Sequence, residues 1–113
     1  MARIDEVAFG KLVCGGKVYR SAVLVFPDKV DGRWWRKDGM AFSPEDFDAV
    51  IAAKPDQVCL GVGFTARVRV PTETIQRLEQ EGIQCVVADT TEAVERYNEL
   101  SARSRVIGAF HLL

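Results

Sequence analysis

Apolar residues in this chain come in short runs cut by glycine, proline and charge, and the spacing within those runs changes along the sequence. Ile4, Val7 and Phe9 stand among charges in Ile4–Phe9, which predicts an edge strand. Lys11–Cys14 and Lys17–Tyr19 flank Gly15-Gly16. A two-residue turn of that type needs positive φ, so the three stretches together predict a hairpin. Ala22–Phe26 (AVLVF) is continuously apolar and predicts a strand covered on both faces, stopped by Pro27. Val30–Met40 predicts a loop, because Asp31-Gly32 and Asp38-Gly39 are turn dipeptides.

A helical period takes over at Phe42–Lys54. Ser43 suits the N-cap, Pro44 the first helical position, and Asp46 the partner of a shortened capping box. Phe42 and Phe47 stand at the hydrophobic-staple positions, Phe47, Val50 and Ile51 form the apolar stripe, and Pro55 ends the helix. Gln57–Val62 then predicts a buried central strand, with Gly61 and Gly63 turning the backbone at its carboxyl end. Phe64–Val70 alternates Ala66, Val68 and Val70 with Arg67 and Arg69, the pattern of a half-exposed extended segment.

Pro71–Glu81 predicts a helix with Ile75 and Leu78 inward. Gly82 stands at the left-handed C′ position and Ile83 is placed to contact Leu78, as in a Schellman ending. Cys85–Ala88 predicts a short buried strand. Asp89-Thr90-Thr91-Glu92 opens a last helix, with Asp89 or Thr90 as cap and Ala93, Val94, Tyr97 and Leu100 as its buried stripe. Arg105–Leu113 predicts a closing strand. The second half thus reads β–α–β–α–β, which favours a parallel or mixed sheet with right-handed crossovers. The first half adds an antiparallel meander. The expectation is an α/β fold in a single domain over residues 1–113, with an extra β layer.

Composition narrows the class of protein. The chain has 113 residues, is 48 % hydrophobic and 27 % charged, and carries a net charge of −1. That is ordinary globular chemistry with enough apolar mass for a core. No apolar run approaches the roughly 20 residues a membrane-spanning helix needs, so no integral membrane protein is expected. The amino-terminal ten residues lack the pattern of a signal or transit peptide. Cys14, Cys59 and Cys85 are odd in number, widely spaced and embedded in apolar runs, which suits buried free thiols in a reducing compartment. The expected location is the cytoplasm, or an organelle matrix if a leader has been removed. Charge is uneven: residues 1–37 hold eight Lys/Arg against four Asp/Glu, and residues 38–113 hold seven against twelve. That split gives a polar axis but is too mild to imply nucleic acid.

Several of these stretches, in this order and spacing, resemble one small family. They are FGKLVCGGKVY at Phe9–Tyr19, WWRKDG at Trp34–Gly39, PDQVCLGVG at Pro55–Gly63, EGIQCVVADT at Glu81–Thr90, AVERYNEL at Ala93–Leu100 and the terminal AFHLL. Together they resemble the MTH-type domain of unknown function. That family includes the adipogenesis-associated MTH-domain protein and the mitochondrial NADH:ubiquinone oxidoreductase complex assembly factor 3. The resemblance implies a three-layer β+α/β/α fold with a mixed central sheet. It implies no established enzymatic activity, and it suggests an accessory or assembly-factor role through protein binding. The family often has Thr between the two central glycines and His after the glycine of the Trp-Arg segment. This chain has Val62 and Met40 there, each a loss of polar chemistry.

The candidate residues follow from these patterns. Gly61 and Gly63 form either a tight turn or the rim of a small-ligand or anion pocket, since open α/β sheets place ligands beyond the carboxyl ends of strands. The lone GxG lacks the third glycine and the directly following helix of a dinucleotide site. Arg67 and Arg69, with Arg33, are the groups able to hold an acidic ligand there. Trp34, Trp35 and Arg36, in a loop also carrying Arg33 and Lys37, form either loop packing or a partner-binding surface, because Arg and Trp are enriched in interface hot spots. Neighbours in extended chain point opposite ways, so one tryptophan is expected inward and the other at the surface or clamping the loop. His111, the single histidine, is expected to be structural. The hydroxyl of Tyr97 needs a partner if buried. Asn98, poorly suited to a helix interior, implies a specific hydrogen bond, with the central loop as one destination. No catalytic set, metal-ligand pattern or cofactor motif is present, and no cofactor is expected. The expected partner is a protein, with the chain a monomer or weak homodimer.

Overall fold

The computed structural model describes residues 3–113. Among the described residues eight strands form two sheets. β1 (Ile4–Ala8), β2 (Lys11–Cys14) and β3 (Lys17–Tyr19) make a three-stranded antiparallel meander in chain order. The second sheet has the order β5 (Val30–Asp31), β4 (Val23–Val25), β8 (Val106–His111), β6 (Gln57–Val62), β7 (Gln84–Ala88). β4 runs antiparallel to β5 and β8, whereas β6 runs parallel to both β8 and β7. The sheet is therefore mixed, as the β–α–β–α–β reading requires.

Period-two alternation separates two cores. Leu24, Val58, Leu60, Ile107 and Ala109 face one side, where Phe42, Phe47, Val50 and Leu78 pack beneath α1 (Asp48–Ala53) and α2 (Thr72–Gln80). Val23, Val25, Cys59, Val106 and Phe110 face the other, against Ala93, Val94 and Tyr97 of α3 (Thr90–Ser101) and Ile4 and Leu12 of the meander. The layers are thus meander plus α3, central sheet, and α1 plus α2. No described helix is long and apolar enough to cross a membrane.

Local chemistry explains the element ends. Gly15 and Gly16 have φ of 60° and 79°, the geometry of the predicted hairpin turn. α2 closes as a Schellman motif: Ile83 N–H donates to Leu78 C=O at 3.1 Å, Gly82 N–H to Glu79 C=O at 2.9 Å, and Gly82 has φ of 78°. Phe42 packs on Phe47 at 6.0 Å between ring centroids, the expected staple, and Ser43 N–H donates to the Asp46 carboxylate at 2.8 Å. The helix there is shorter than its pattern: Pro44–Phe47 is a 3-10 turn, and only Asp48–Ala53 is α-helical.

Four expectations need correction. The middle strand of the large sheet is β8, with β6 beside it, because the carboxyl-terminal run pairs with both β4 and β6. Val30–Asp31 is a short strand on β4, where a loop was expected, since two residues are too few to show a period. Phe64–Val70 begins as a turn, with Ala66 at φ of 55°, and only Arg69 meets extended chain, exchanging backbone hydrogen bonds of 2.9 Å with Met40 and Phe42. β7 is a half-exposed edge strand, not a buried one, because nothing pairs with its outer side.

Candidate functional site

β6 and β8 end level with one another, Val62 opposite His111. Beyond those carboxyl ends lies a groove of about 580 Å³ lined by Phe9, Gly39, Met40, Thr65, Arg67, His111 and Leu113. Open α/β sheets place ligands at this position, outside the carboxyl ends of parallel strands. The size falls in the range of small-ligand pockets. A second cavity of about 560 Å³ lies between the meander and β5, but its walls mix Arg3, Asp5, Lys17, Asp28 and Lys29 and offer no apolar surface of similar extent.

Four segments build the groove. The chain beyond β8 is held by two turns: Gly10 N–H donates to Leu112 C=O at 2.5 Å, and Phe64 N–H to Leu113 C=O at 3.0 Å. Gly10, with φ of 78°, makes the β1–β2 turn that carries Phe9 to the rim, where it is 70 % exposed and packs edge-on against Phe64 at 5.9 Å. Met40 is fixed by its backbone: its N–H donates to the Asp38 carboxylate at 2.9 Å and its C=O accepts from Arg69 at 2.9 Å. Gly63 has φ of 101°, and a Cβ there would lie 3.0 Å from Leu113 O and 3.3 Å from His111 Cδ2. Only glycine suits that combination of conformation and crowding.

Thr90, the first residue of α3, ties the floor together. Its Oγ1 accepts from Gly63 N–H at 3.0 Å and donates to His111 C=O at 2.6 Å, while its own N–H donates to Gly63 C=O at 3.0 Å. Asp89 is the helix cap, accepting from Glu92 N–H at 3.0 Å. The Gly63 amide is therefore already hydrogen-bonded. Gly61 is internal to β6, paired with β7 and β8, and a Cβ on it would lie 2.8 Å from Phe110 Cδ1. These two glycines shape the floor and leave no free amides to cradle an anion.

Beside the groove, Arg36 Nη2 lies 3.0 Å from His111 Nδ1. The guanidinium lies against both Trp34 and Phe42, at 5.5 and 5.4 Å from their ring centroids. Its other terminal nitrogen, Nη1, is buried without a hydrogen-bond partner among the described residues. Burial lowers the Arg36 pKa, and Asp46 and Asp38 oppose that shift. Burial, and then the charge of Arg36, lower the pKa of His111. A guanidinium only donates, so Nδ1 accepts and the ring hydrogen sits on Nε2. The basic lone pair of His111 is thus engaged by Arg36.

The predicted site residues separate. Arg67 lines the groove. Arg69 pairs instead with Asp38 at 3.3 Å, and Arg33 lies exposed, its N–H donating to the Asp31 carboxylate at 3.0 Å. The three arginines do not converge. Trp34 is the inward tryptophan, its Nε1 donating to Asp46 C=O at 3.1 Å, and Trp35 is 76 % exposed. Asn98 makes its specific bonds to Ile4 of β1, not to the central loop. The Tyr97 hydroxyl is buried among Cys14 and Cys59 with no partner among the described residues, and burial pushes its pKa up. Burial likewise pushes the Cys59 thiol up to about 12 and the Cys85 thiol to about 11, so neither is an activated nucleophile. Among the described residues no cluster of His, Cys, Asp and Glu is arranged to hold a metal ion.

Phe9, Thr65 and Leu113 were not singled out as site residues from the sequence, Met40 was marked only as a loss of polar chemistry, and Thr90 only as a helix cap. The signal available was positional: the resemblance stretches begin at Phe9, end at Gly39, Gly63 and Thr90, and close with His111 and Leu113. Five separate motifs thus have an end at one place.

The chain matches, over residues 4–111, the family described as "Protein of unknown function (DUF498/DUF598)". A Bordetella parapertussis protein has the same fold with a TM-score of 0.85 at 19 % identity, over 100 % of this chain and 97 % of that one. The structure named MT938 gives 0.80 at 26 % identity, over 99 % and 98 %. A Bordetella pertussis protein described as a Mth938-like domain gives 0.65 at 16 % identity, over 98 % and 85 %. The two Bordetella likenesses show the fold alone. With the family match spanning nearly all of the sequence, this chain belongs to the DUF498/DUF598 family, the MTH-type domains of unknown function.

Proposed function

We propose that this chain is a small-ligand-binding protein, without chemistry of its own, that works through the groove beyond β6 and β8. The observation that carries this reading is the character of the groove. It is apolar and about 580 Å³, and Phe9, Met40 and Leu113 stay exposed around it. Apolar pockets with a few polar groups at a sheet's carboxyl end are where ligands bind. The engaged lone pair of His111 and the raised cysteine pKa values support binding over catalysis. Three free thiols fit a reducing, cytoplasmic setting.

A thermal-shift screen against small apolar molecules tests this. A ligand at a hundred times its dissociation constant adds about 2.7 kcal/mol to apparent stability. The expected result is a hit that Met40→Glu abolishes. A blank screen, or hits that Met40→Glu leaves unchanged, overturns the reading.

A second reading, protein binding as an accessory or assembly factor, is favoured by Trp35, 76 % exposed in a loop of arginines. It predicts that a photo-crosslinker at position 35 captures one reproducible protein, and that Trp35→Ala weakens that complex in solution.

A further inference from the structure

β7 leaves one side of its backbone bare. It pairs with β6 from Gln84 to Ala88, and no described strand lies on its other side. Gln84 N–H donates towards β6, to Asp56 C=O at 3.1 Å. Backbone groups of successive strand residues point to opposite sides, so Gln84, Val86 and Ala88 turn theirs to β6, and Cys85 and Val87 turn theirs outward. Two N–H and two C=O groups thus face away from the sheet with no partner among the described residues. A bare edge is a template for another strand, and proteins ordinarily guard it with charge, proline or shortness. The other three edges are guarded in this way. β5 is two residues long and holds Asp31, β1 carries Asp5 and Glu6, and β3 carries Lys17. β7 reads QCVVA, without charge or proline, and Val87 is 48 % exposed.

We infer that β7 binds the β7 of a second copy of this chain, antiparallel about a two-fold axis at Val86. In that register Cys85 stands opposite the second copy's Val87, and Val87 opposite its Cys85. Each such pair exchanges both N–H and both C=O groups, so four hydrogen bonds use every outward group of both strands. Neighbouring registers do worse. An axis at Cys85 sets Val87 against Ile83, whose N–H is already given to Leu78 C=O at 3.1 Å. An axis at Val87 sets Cys85 against Asp89, whose C=O already accepts from Ala93 N–H at 2.8 Å. The choice of a second copy follows from this match: it carries the same donors and acceptors at the same spacing, no charges meet, and two-fold pairing closes after two chains. The two large sheets then run on as one. The paired strands supply five residues a side, well short of the about 20 of a stable interface, so the dimer is weak and forms as concentration rises.

The test takes the full chain, reduced, from about 10 μM to about 1 mM, the range in which weak pairs form. Sedimentation equilibrium gives the mass, and amide exchange locates the contact. The expected result is a mass moving from one chain towards two. Exchange of the Cys85 and Val87 amides is expected to slow about tenfold once roughly nine-tenths of the chains are paired, while Val86 and Ala88, already bonded to β6, change little. Val87→Pro removes an outward N–H and leaves the β6 pairing intact, and Val87→Lys supplies the missing charge. Each is expected to remain a monomer throughout. Should the proline variant fail to fold, the lysine variant carries the test.

Disulfide trapping reads the register. The two Val86 residues face one another across the axis as a non-hydrogen-bonded pair, about 4.5 Å between Cα atoms and within disulfide reach. The two Cys85 residues stand diagonally, about 7–8 Å apart and beyond it. Val86→Cys combined with Cys85→Ser is therefore expected to cross-link on mild oxidation, and wild type is not. A mass of one chain at every concentration would overturn the proposal, as would a dimer that survives Val87→Lys. Cross-linking of wild type through Cys85 would overturn the Val86 axis. A chain that stays monomeric while an added valine-rich peptide protects the Cys85 and Val87 amides would overturn the second copy as the occupant.

Discussion

Asn98, in the last turn of α3, accepts a hydrogen bond from Ile4 N–H and donates one to Ile4 C=O, both at 2.9 Å. A side-chain amide there acts as a strand edge, satisfying both backbone groups of the residue where β1 meets the helix. It joins residues 94 apart in sequence and fixes the meander against α3. Asn98→Ala removes both bonds and leaves a part-buried N–H and C=O unpaired, a cost of about 1–3 kcal/mol. Denaturant unfolding measures the loss. Exchange of the Ile4 amide is expected to speed up more than exchange in β6, because the opening is local. Asn98→Asp, which keeps an acceptor and loses the donor, is expected to fall between wild type and alanine.

Thr90 makes the corresponding link at the other end of α3. Thr90→Val keeps the shape and removes the hydroxyl that pairs Gly63 N–H and His111 C=O. Each buried backbone group left unpaired costs about 1–3 kcal/mol. Thr90→Ser retains both bonds and is expected to lose well under half as much. Because Gly63 and His111 define the groove floor, the valine variant is also expected to weaken any groove ligand. A valine variant as stable as wild type would show that these two bonds contribute nothing net.

The pH response of stability follows from His111. Burial and the neighbouring Arg36 lower its pKa in the fold, so the unfolded chain binds more protons between the folded value and the ordinary 6.5. Stability therefore rises with pH across that window: it is full above 6.5 and declines as pH falls through it. Protonating Nδ1 would also set an N–H against the Arg36 guanidinium. The charges of Asp46 and Asp38 act on Arg36 in the opposite sense to its burial. The midpoint temperature of wild type is expected to fall between pH 7 and pH 5, and that of His111→Gln to change less. Parallel profiles would refute a role for this histidine.

These cases show what was readable before the fold was known. Local rules carry their own geometry, so Gly15-Gly16, the staple of Phe42 and Phe47, and the ending at Gly82-Ile83 were legible from spacing alone. Asn98 was half legible: a polar residue in a helix signalled a bond, but its partner lies 94 positions away and no spacing encodes it. The groove was least legible. Phe9, Met40, Thr65, Arg67, His111 and Leu113 come from separate turns and strand ends, each ordinary in its own neighbourhood. Only the closing of the sheet, with β8 in the middle, brings them together. Arg67 was found because it follows the glycine loop directly. Arg33 and Arg69 were grouped with it by charge, and the fold sends them elsewhere.

The adjacent tryptophans allow one more separation, between a residue that holds the loop and one that is left for other work. Trp34 packs on Phe42 and Phe47 at 5.2 and 5.6 Å, and its indole N–H is bonded to Asp46 C=O. It also packs against the Arg36 guanidinium, which is hydrogen-bonded to His111. Trp34→Ala is expected to cost about 3–5 kcal/mol, as for other large aromatic truncations in a core. Trp35 buries little, so Trp35→Ala is expected to change stability by no more than about 0.5 kcal/mol. Equilibrium unfolding of the two variants measures the difference directly. Fluorescence gives an independent check, since Trp34→Phe leaves only the exposed indole and is expected to emit at longer wavelength and to be quenched readily by iodide. Equal costs for the two alanine variants would mean that Trp35 is buried in solution, and would remove the one residue that most favours a protein partner at this loop.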